Sequence, residues 1–179
     1  LPNKTIIAGS AAIDTKVAQF SSENEVGNLE FLSCIPGSIG GGIRMNSGCF
    51  GFEFKDILLS VQAIDLEGKV ITIPSSNINF EYRGTDLPRD LIFLSASFKG
   101  ISKNRNAVKK NIEILKAKKE DAQPTKIKTG GSTFKNPIKQ TKEKVWRLIK
   151  TSIPTNTSFG DAAISEKHLN FFVNKNNAT

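Results

Sequence analysis

The sequence predicts an α+β protein with two units, the first of which holds a mostly antiparallel sheet with flanking helices. Two observations carry this prediction. Short apolar runs separated by glycine and polar turns fill the chain up to Gly100, and a lysine-rich segment with apolar residues at helical spacing follows. A polar stretch containing Pro124, residues 121–129, then precedes a shorter part of the chain. We therefore place the domain boundary there and expect units of residues 1–122 and 123–179.

The composition is typical of a soluble, cytoplasmic globular protein. Of the 179 residues, 38% are hydrophobic and 23% are charged, and no apolar run reaches the length of a membrane span. The N-terminal residues LPNKTIIAGS lack the basic and apolar regions of a signal peptide. One histidine and two clustered cysteines, Cys34 and Cys49, are too few for a structural zinc site, so we expect free thiols and no metal.

The formal net charge of +8 is concentrated in one segment. Residues 99–150 hold 16 Lys or Arg against 4 Asp or Glu, whereas the rest of the chain holds 9 against 13. A solvated helix face is the usual origin of such a segment, and we favour it. The alternative is a non-catalytic basic module that binds nucleic acid, but no aromatic residue for base stacking lies among these lysines before Phe134. We therefore expect no nucleic-acid partner.

The chain begins with a predicted strand, turn and helix. Residues 4–8 form a short β-like run that ends at Gly9. Asp14 can cap the helix that follows, because its side chain can accept a hydrogen bond from a backbone N–H of the first turn. Val17 and Phe20 then lie on one face of that helix.

The next elements are predicted strands. Two β-rich runs, residues 57–65 and 69–73, flank the turn Leu66-Glu67-Gly68, which predicts a β-hairpin. After a polar turn at residues 84–90, residues 91–98 resume as a strand. The apolar residues that alternate along this strand are Ile92, Leu94, Ala96 and Phe98.

Two helices are predicted in the basic part of the chain. Ser102 can cap the first, whose apolar residues at helical spacing are Val108, Ile112 and Leu115. The second runs over about residues 142–150, and its apolar residues are Val145, Trp146, Leu148 and Ile149. A β-like run follows at residues 170–173, and we expect the histidine before it, His168, to form structural hydrogen bonds.

Residues 31–51, FLSCIPGSIGGGIRMNSGCFG, contain six glycines and few large side chains. Glycine lets backbone N–H groups approach a bound group closely, which favours a loop that binds phosphate. A tight turn or bulge between strands is an equally good interpretation on spacing alone. No Gly-Lys-Ser or Gly-Lys-Thr follows, so the pattern is not that of a P-loop NTPase.

Two further positions could bind or act on an anionic ligand. Arg83 offers a planar fork of N–H donors to carboxylate or phosphate, and the neighbouring Tyr82 can stack and hydrogen-bond. Ser132 follows two glycines, where its hydroxyl could be held at a backbone turn and face a ligand. A surface arginine and a turn serine are the alternatives. The residues alone thus indicate an anion-binding α+β protein without specifying a reaction.

Four motifs follow one another along nearly the whole chain: LEFLSCIPGSIGGGIRMNSGCFG, FEYRGTDLP, QPTKIKTGGSTFKNP and GDAAISEKHLNFFVNKNNAT. In this order they resemble the MurB family of UDP-N-acetylenolpyruvoylglucosamine reductases. The resemblance implies that residues 1–122 are the second subdomain of a two-part FAD-binding cradle and that residues 123–179 belong to a small α+β substrate-binding domain. The reaction it implies is the NADPH-dependent, FAD-mediated reduction of UDP-N-acetylglucosamine enolpyruvate to UDP-N-acetylmuramate for peptidoglycan.

The same resemblance implies roles for individual residues. Ser132 would be the general acid that protonates the carbanion left after hydride addition, and Arg83 would hold the substrate carboxylate. Tyr82, Lys135 and Asn136 match substrate-side positions of the family. The positions expected to contact the flavin nucleotide are Ile35, Pro36, Gly37, Ser38, Ile39, Gly40, Gly41, Asn46 and Gly48.

The chain also differs from the family pattern. Cys34 stands where the family usually has Gly, and Cys49-Phe50 stand where it usually has Ala-Tyr. Leu1 falls after the family's first flavin-binding subdomain, and Thr179 falls before the segment with its catalytic glutamate. We therefore expect the 179 residues alone to bind FAD weakly and to lack turnover. A monomer is expected, and another FAD oxidoreductase with a similar cradle is the remaining alternative.

Overall fold

The computed structural model describes residues 3–124 and 127–179 and divides into two units. The first unit ends at Ala117 and the second begins at Lys118. The sequence placed the boundary after residue 122, whereas the division falls inside a long helix. Part of the predicted connector at residues 121–129, Thr125 and Lys126, lies outside the described residues. Each unit is described by itself below.

The structure has the α+β composition that the sequence predicts, with mostly antiparallel sheets and few helices. The α-helices are α1 (Asp14–Glu23), α2 (Ile39–Arg44), α3 (Phe54–Ile57), α4 (Arg105–Ala122) and α5 (Val145–Ser152). The strands are β1 (Asn3–Gly9), β2 (Val26–Gly27), β3 (Gly48–Cys49), β4 (Phe52–Glu53), β5 (Leu58–Ile64), β6 (Val70–Pro74), β7 (Phe80–Glu81), β8 (Gly84–Thr85), β9 (Ile92–Ser102), β10 (Lys128–Ser132), β11 (Ser158–Phe159), β12 (Ala162–Ile164) and β13 (Phe171–Asn174).

The first unit is built on an antiparallel sheet in the order β1-β9-β5-β6, with β2 also paired to β9. The predicted hairpin is confirmed, since β5 pairs with β6 from Ser60–Pro74 to Ile64–Val70. Its turn ends at Gly68, whose φ of +83° suits glycine because a Cβ would be strained there. The turn consists of the predicted residues 66–68, because the N–H of Asp65 donates to the Lys69 carbonyl at 3.1 Å on either side of them.

The burial along β9 differs from the simple alternation that the sequence predicts. Ala96 and Phe98 are buried as expected, but Ile92 and Leu94 are 57% and 38% exposed, and Phe93 is buried instead. The reason is a register shift in the pairing with β5, where Gln62 pairs with Ser95 but the next residue, Ala63, pairs with Phe93. The extra residue at Leu94 reverses which side chains face the core.

Two helix starts also differ from the prediction. Asp14 is the first residue of α1 and makes no cap hydrogen bond, because Ile13 occupies the cap position. On the same helix Val17 is buried but Phe20 is 53% exposed. At α4 the cap is Asn104, whose Oδ1 accepts a 2.9 Å hydrogen bond from the N–H of Asn106, whereas the predicted cap, Ser102, is still in β9.

The second unit is a small antiparallel sheet in the order β10-β13-β12-β11, together with α5. The predicted helix at residues 142–150 is present but begins at Val145, which is its buried residue. Trp146 and Leu148 are 40% and 37% exposed. The predicted run at residues 170–173 is strand β13.

Candidate functional site

The glycine-rich segment folds as a short 3-10 helix (Glu30–Cys34), a turn and helix α2. Three backbone hydrogen bonds tie it to the connection between β1 and α1. The N–H of Ile39 donates to the Ala12 carbonyl at 2.9 Å, and the N–H of Gly40 donates to the Ser10 carbonyl at 2.9 Å. In return the Asp14 N–H donates to the Gly37 carbonyl at 3.0 Å. The interpretation of the three consecutive glycines as a turn or bulge between strands is therefore wrong, since they belong to α2.

The three glycines of α2 have different packing reasons. A Cβ on Gly42 would lie 2.2 Å from Cζ of Phe54, so the core ring occupies the place of a side chain there. A Cβ on Gly40 would lie 3.2 Å from Cβ of Ser10. Gly41 faces the other way and is exposed, with the Ser38 hydroxyl 3.6 Å from such a Cβ. Only the surface at Gly41 is therefore open to a ligand among these three positions.

The outer surface of this segment is suited to a diphosphate group. Pro36, Gly37 and Gly41 are exposed, and Ser38 is partly exposed. Within residues 3–124 and 127–179, the structure shows no hydrogen-bond acceptor for the N–H groups of Gly37, Ser38 and Gly41. Backbone N–H groups on a surface without bulky side chains are the donors that phosphates use. These residues fit the flavin nucleotide that the family resemblance implies.

Three of the residues expected to contact the flavin are directed inward. Ile35 and Ile39 are 8% and 0% exposed and belong to the core. Asn46 is fully buried, and its amide is used by the protein itself. Its Nδ2 donates to Oε2 of Glu53 at 3.0 Å and to the Glu81 carbonyl at 3.1 Å, and its Oδ1 accepts from the N–H of Lys55 at 3.1 Å. The Asn46 side chain therefore supports neighbouring residues of the site and does not face a ligand.

Arg83 reaches the glycine-rich segment from a two-residue hairpin. Tyr82 and Arg83 connect β7 to β8, and Arg83 has a φ of +58°, which is costly for a residue with a side chain. Nη2 of Arg83 donates to the Gly48 carbonyl at 2.9 Å, and Nη1 donates to the Asn46 carbonyl at 3.3 Å. Nη1 also lies 3.4 Å from Oε1 of Glu53.

Glu53 is the anionic centre of this group. Its Oε1 faces Arg83, while its Oε2 lies 2.9 Å from Nζ of Lys55 and accepts the Asn46 amide. Burial acts to raise the pKa of Glu53, but the hydrogen bond and charge of Lys55, the Asn46 amide and the charge of Arg83 outweigh it, and the pKa lies below its usual value. Glu53 is therefore a carboxylate at neutral pH.

A cavity of about 470 Å³ opens beside this group. Arg83 and Lys55 line it with Glu53 and Asp56, and the remaining wall is the turn of residues 48–52. The two cations balance the two carboxylates in this lining, and the planar guanidinium of Arg83 is the group suited to bind a carboxylate. Phe50 lies on this wall with a φ of +51° and is 43% exposed. Sequence reasoning identified Arg83 here but missed Glu53 and Lys55.

The candidate residues of the second unit lie at the end of β10. Ser132 is the last residue of that strand and is exposed, directly after Gly131 with its φ of +88° and a register shift against β13. Its hydroxyl has no hydrogen-bond partner within the described ranges 3–124 and 127–179. Lys135 is exposed. Oδ1 of Asn136 accepts a 3.0 Å hydrogen bond from the N–H of Val145, so this amide anchors the start of α5.

A second cavity, of about 490 Å³, lies between α5 and the turn before β13, and sequence reasoning missed it. Trp146 and Lys150, one helical turn apart on α5, line it together with His168. Burial lowers the pKa of His168, and its Nδ1 accepts a 3.2 Å hydrogen bond from the Asn170 N–H. His168 is thus a neutral hydrogen-bonding residue packed on the Phe171 ring at 4.8 Å.

No helix in the described part of the chain is long and apolar enough to cross a membrane. No group of three or more His, Cys, Asp or Glu side chains is placed to share a metal ion within residues 3–124 and 127–179.

Comparison with known proteins gives consistent matches along the chain. The family model for the C-terminal domain of UDP-N-acetylenolpyruvoylglucosamine reductase matches residues 123–179. The reductase of that name from Pelagibacter ubique is 62% identical over all 179 residues, and the one from Rickettsia bellii is 43% identical over 174 residues, or 97% of the chain. The chain spans 59% and 57% of the length of these two relatives.

A solved structure matches the fold as well. The crystal structure of MurB from Thermus caldophilus superimposes with a TM-score of 0.84 and 27% sequence identity, covering 97% of this chain and 63% of that one. The match therefore extends over both units, beyond the residues that the family model covers. The chain is thus similar over nearly its whole length to UDP-N-acetylenolpyruvoylglucosamine reductases of the MurB family, and its residues 123–179 match the model of their C-terminal domain.

Proposed function

We propose that the whole protein catalyses the NADPH-dependent, FAD-mediated reduction of UDP-N-acetylglucosamine enolpyruvate to UDP-N-acetylmuramate in peptidoglycan synthesis. The observation that carries this proposal is the 62% identity to a reductase named for this activity, which extends over every residue of the chain. The cavity at Arg83 supports it, because the guanidinium there can donate hydrogen bonds to an anionic substrate, although Glu53 and Asp56 balance the charges of Arg83 and Lys55 in the lining.

The glycine-rich segment is the part of the chain that would hold FAD. The N–H groups of Gly37, Ser38 and Gly41 would donate to the diphosphate, and the small side chains let it approach. When bound, FAD supplies the hydride relay between NADPH and substrate. The buried residues Ile35, Ile39 and Asn46 would support this surface by packing and hydrogen bonding.

Arg83 would bind the carboxylate of the enolpyruvyl group. Its guanidinium is already oriented by two carbonyls and a carboxylate, so little further ordering is needed when an anion enters the cavity. A fixed positive charge at this carboxylate also stabilises the negative charge that develops there during reduction. Tyr82, whose ring lies 5.0 Å from Cζ of Arg83, would support that side chain.

Ser132 would donate the proton that completes the reduction. Its hydroxyl is exposed and has no hydrogen-bond partner within the described residues, so it is available to a substrate. Lys135 belongs to the same sequence motif as Ser132 and is exposed, and it would contact the anionic part of the substrate. Asn136 would act through its hydrogen bond to α5 rather than as a proton donor.

The test is the substitution Ser132→Ala in the whole protein, with stopped-flow measurement of each half-reaction. We expect substrate reduction to slow by a factor on the order of 10² to 10⁴, because general-acid catalysis contributes about that much. Reduction of the flavin by NADPH should stay within about twofold, since no proton is given to the substrate in that step.

The matched control is Ser158→Ala, which removes an exposed serine hydroxyl from a different strand of the same sheet. Both half-reactions should be unchanged in this variant. An equal loss of both half-reactions in Ser132→Ala would contradict the proton-donor role. A wild-type protein without FAD, or without activity on the enolpyruvate, would contradict the proposed function itself.

A further inference from the structure

We propose that Glu53 is the positioning residue of Arg83. The inference deepens the proposed function, because it concerns how the cation that would bind the substrate carboxylate is held in place. Arg83 lies on a hairpin, and Glu53 lies 30 residues earlier at the start of α3. Their side chains meet at 3.4 Å between Nη1 and Oε1. This contact fixes one edge of the guanidinium.

Glu53 is itself held rigidly. Its backbone N–H donates to Oδ2 of Asp56 at 2.8 Å, and its side chain in turn accepts from the Asp56 N–H, which forms a capping box at the start of α3. Its Oε2 is engaged by Asn46 and Lys55 at 3.0 and 2.9 Å. A carboxylate constrained at its backbone and at both oxygens can hold its partner in one orientation.

Arg83 needs such support because its backbone lies in a short turn and does little to fix the direction of the side chain. The residue is in the left-handed region with a φ of +58°, at a turn with only two residues between the strands. An arginine side chain loses much rotamer freedom when it is fixed, so several partners are needed to hold it in one orientation. The carbonyls of Asn46 and Gly48 orient two of its N–H groups, and Glu53 adds the opposite charge. The guanidinium is thereby ordered before a ligand enters.

Because the Arg83 guanidinium is ordered before substrate binds, loss of that order should lower the rate of the chemical step more than the affinity for substrate. An arginine that shifts by about 1 Å still attracts an anion, but it no longer matches the charge that develops in the transition state. Glu53→Gln keeps the size of the side chain, removes the charge and replaces one of the two acceptor oxygens by an NH2 donor. We therefore expect kcat for substrate reduction to fall by a factor on the order of 10 to 100, with KM changed by less than about threefold.

The experiment is a double-mutant cycle with Glu53→Gln and Arg83→Lys in the whole protein, with flavin reduction by NADPH measured alongside. We expect flavin reduction to be unchanged in Glu53→Gln, and its effect on kcat to disappear in the Arg83→Lys background. Additive effects, or equal losses in both half-reactions, would overturn the proposal. The control Glu67→Gln removes the same charge at the exposed β5–β6 turn and should change neither half-reaction.

A second readout does not depend on turnover. In ¹⁵N-arginine NMR spectra of the whole protein, the Nη groups of Arg83 should give separate signals, because the structure holds them on different acceptors. In Glu53→Gln these signals should merge as rotation about the Cζ–Nε bond becomes fast. Separate signals in both proteins would overturn the proposal. A wild-type protein that shows the predicted spectra without reducing the enolpyruvate would refute the proposed function while the positioning role stood.

Discussion

The two units of the chain differ in charge and in how many apolar residues they bury. The first, up to Ala117, holds 13 Lys or Arg against 12 Asp or Glu, and its described residues include a core cluster of 22 buried apolar side chains. The second, from Lys118, holds 12 against 5, and its buried apolar residues are Val145, Ala163, Ile164, Phe171 and Val173. Large apolar side chains such as Phe159, at 81% exposure, remain on its surface. The composition of the whole chain thus averages over two different units. The first is nearly neutral with many buried apolar residues, and the second is basic with few.

The sharpest test of this difference substitutes one phenylalanine in each unit. Phe98 is fully buried and packs edge-on against Phe54 at 5.9 Å, so Phe98→Ala should lower the free energy of unfolding by about 3–5 kcal/mol. Phe159→Ala should change it by less than about 0.5 kcal/mol, because that ring is exposed. Urea unfolding followed by circular dichroism measures both. Equal losses of unfolding free energy in the two variants would contradict the exposure of Phe159.

A second test uses one carboxyl group in each unit. Asp14 is fully buried, and neither of its carboxylate oxygens has a hydrogen-bond partner among the described residues. Asp161 in the second unit instead accepts a 3.0 Å hydrogen bond from the N–H of Asn177. Burial raises the pKa of Asp14 from 3.8 to about 7. The first unit therefore contains a carboxyl group that folding keeps protonated up to about pH 7.

The sign of the pH effect follows from that raised pKa. The stability that Asp14 contributes is fully present below about pH 4, and it is lost as the pH rises through about 7, because the unfolded state releases the proton first. Asp14→Asn removes this loss, so its free energy of unfolding should exceed that of the wild type by about 1–3 kcal/mol at pH 8 and by less at pH 5. Asp161→Asn should be destabilising at both pH values. An Asp14→Asn effect independent of pH would contradict the raised pKa.

The smallest expected effect concerns the start of α4. Asn104→Ala removes the side-chain acceptor for the Asn106 N–H and should cost about 1 kcal/mol. Asn106→Ala makes the same chemical change two residues later, without loss of the cap, and should cost less than about 0.5 kcal/mol. Thermal unfolding of the two variants side by side compares them. A larger loss in Asn106→Ala would exclude Asn104 as the cap.

The elements that the sequence predicts correctly are those determined locally. The β5–β6 hairpin follows from turn residues between two β-rich runs, and α4 and α5 follow from apolar spacing. The burial of β9 could not be predicted this way, because its bulge at Leu94 depends on how β5 pairs with it. The cap of α4 was misplaced because β9 continues through Ser102. Pairing between distant residues decides such details.

The residues of the candidate site also divide into those that a local motif identifies and those that become neighbours only in the folded chain. Arg83 and the glycine-rich segment are recognisable because each lies in a short motif of characteristic composition. Glu53 and Lys55 lie in no such motif, and they matter only because the chain brings α3 to the hairpin that carries Arg83. The inward direction of Asn46 likewise follows from its complete burial, which composition alone does not indicate.

The left-handed backbone of Arg83 has a practical consequence for protein engineering. A search for stabilising substitutions would select this position early, since replacing a non-glycine residue at a φ of +58° by glycine relieves about 1 kcal/mol of strain. The same substitution would remove the hydrogen bonds that the guanidinium donates to the Asn46 and Gly48 carbonyls and its ion pair with Glu53, and these losses exceed the strain that is relieved. A design rule that places glycine wherever φ is positive would therefore fail at this residue, so libraries built on this scaffold should keep position 83 fixed.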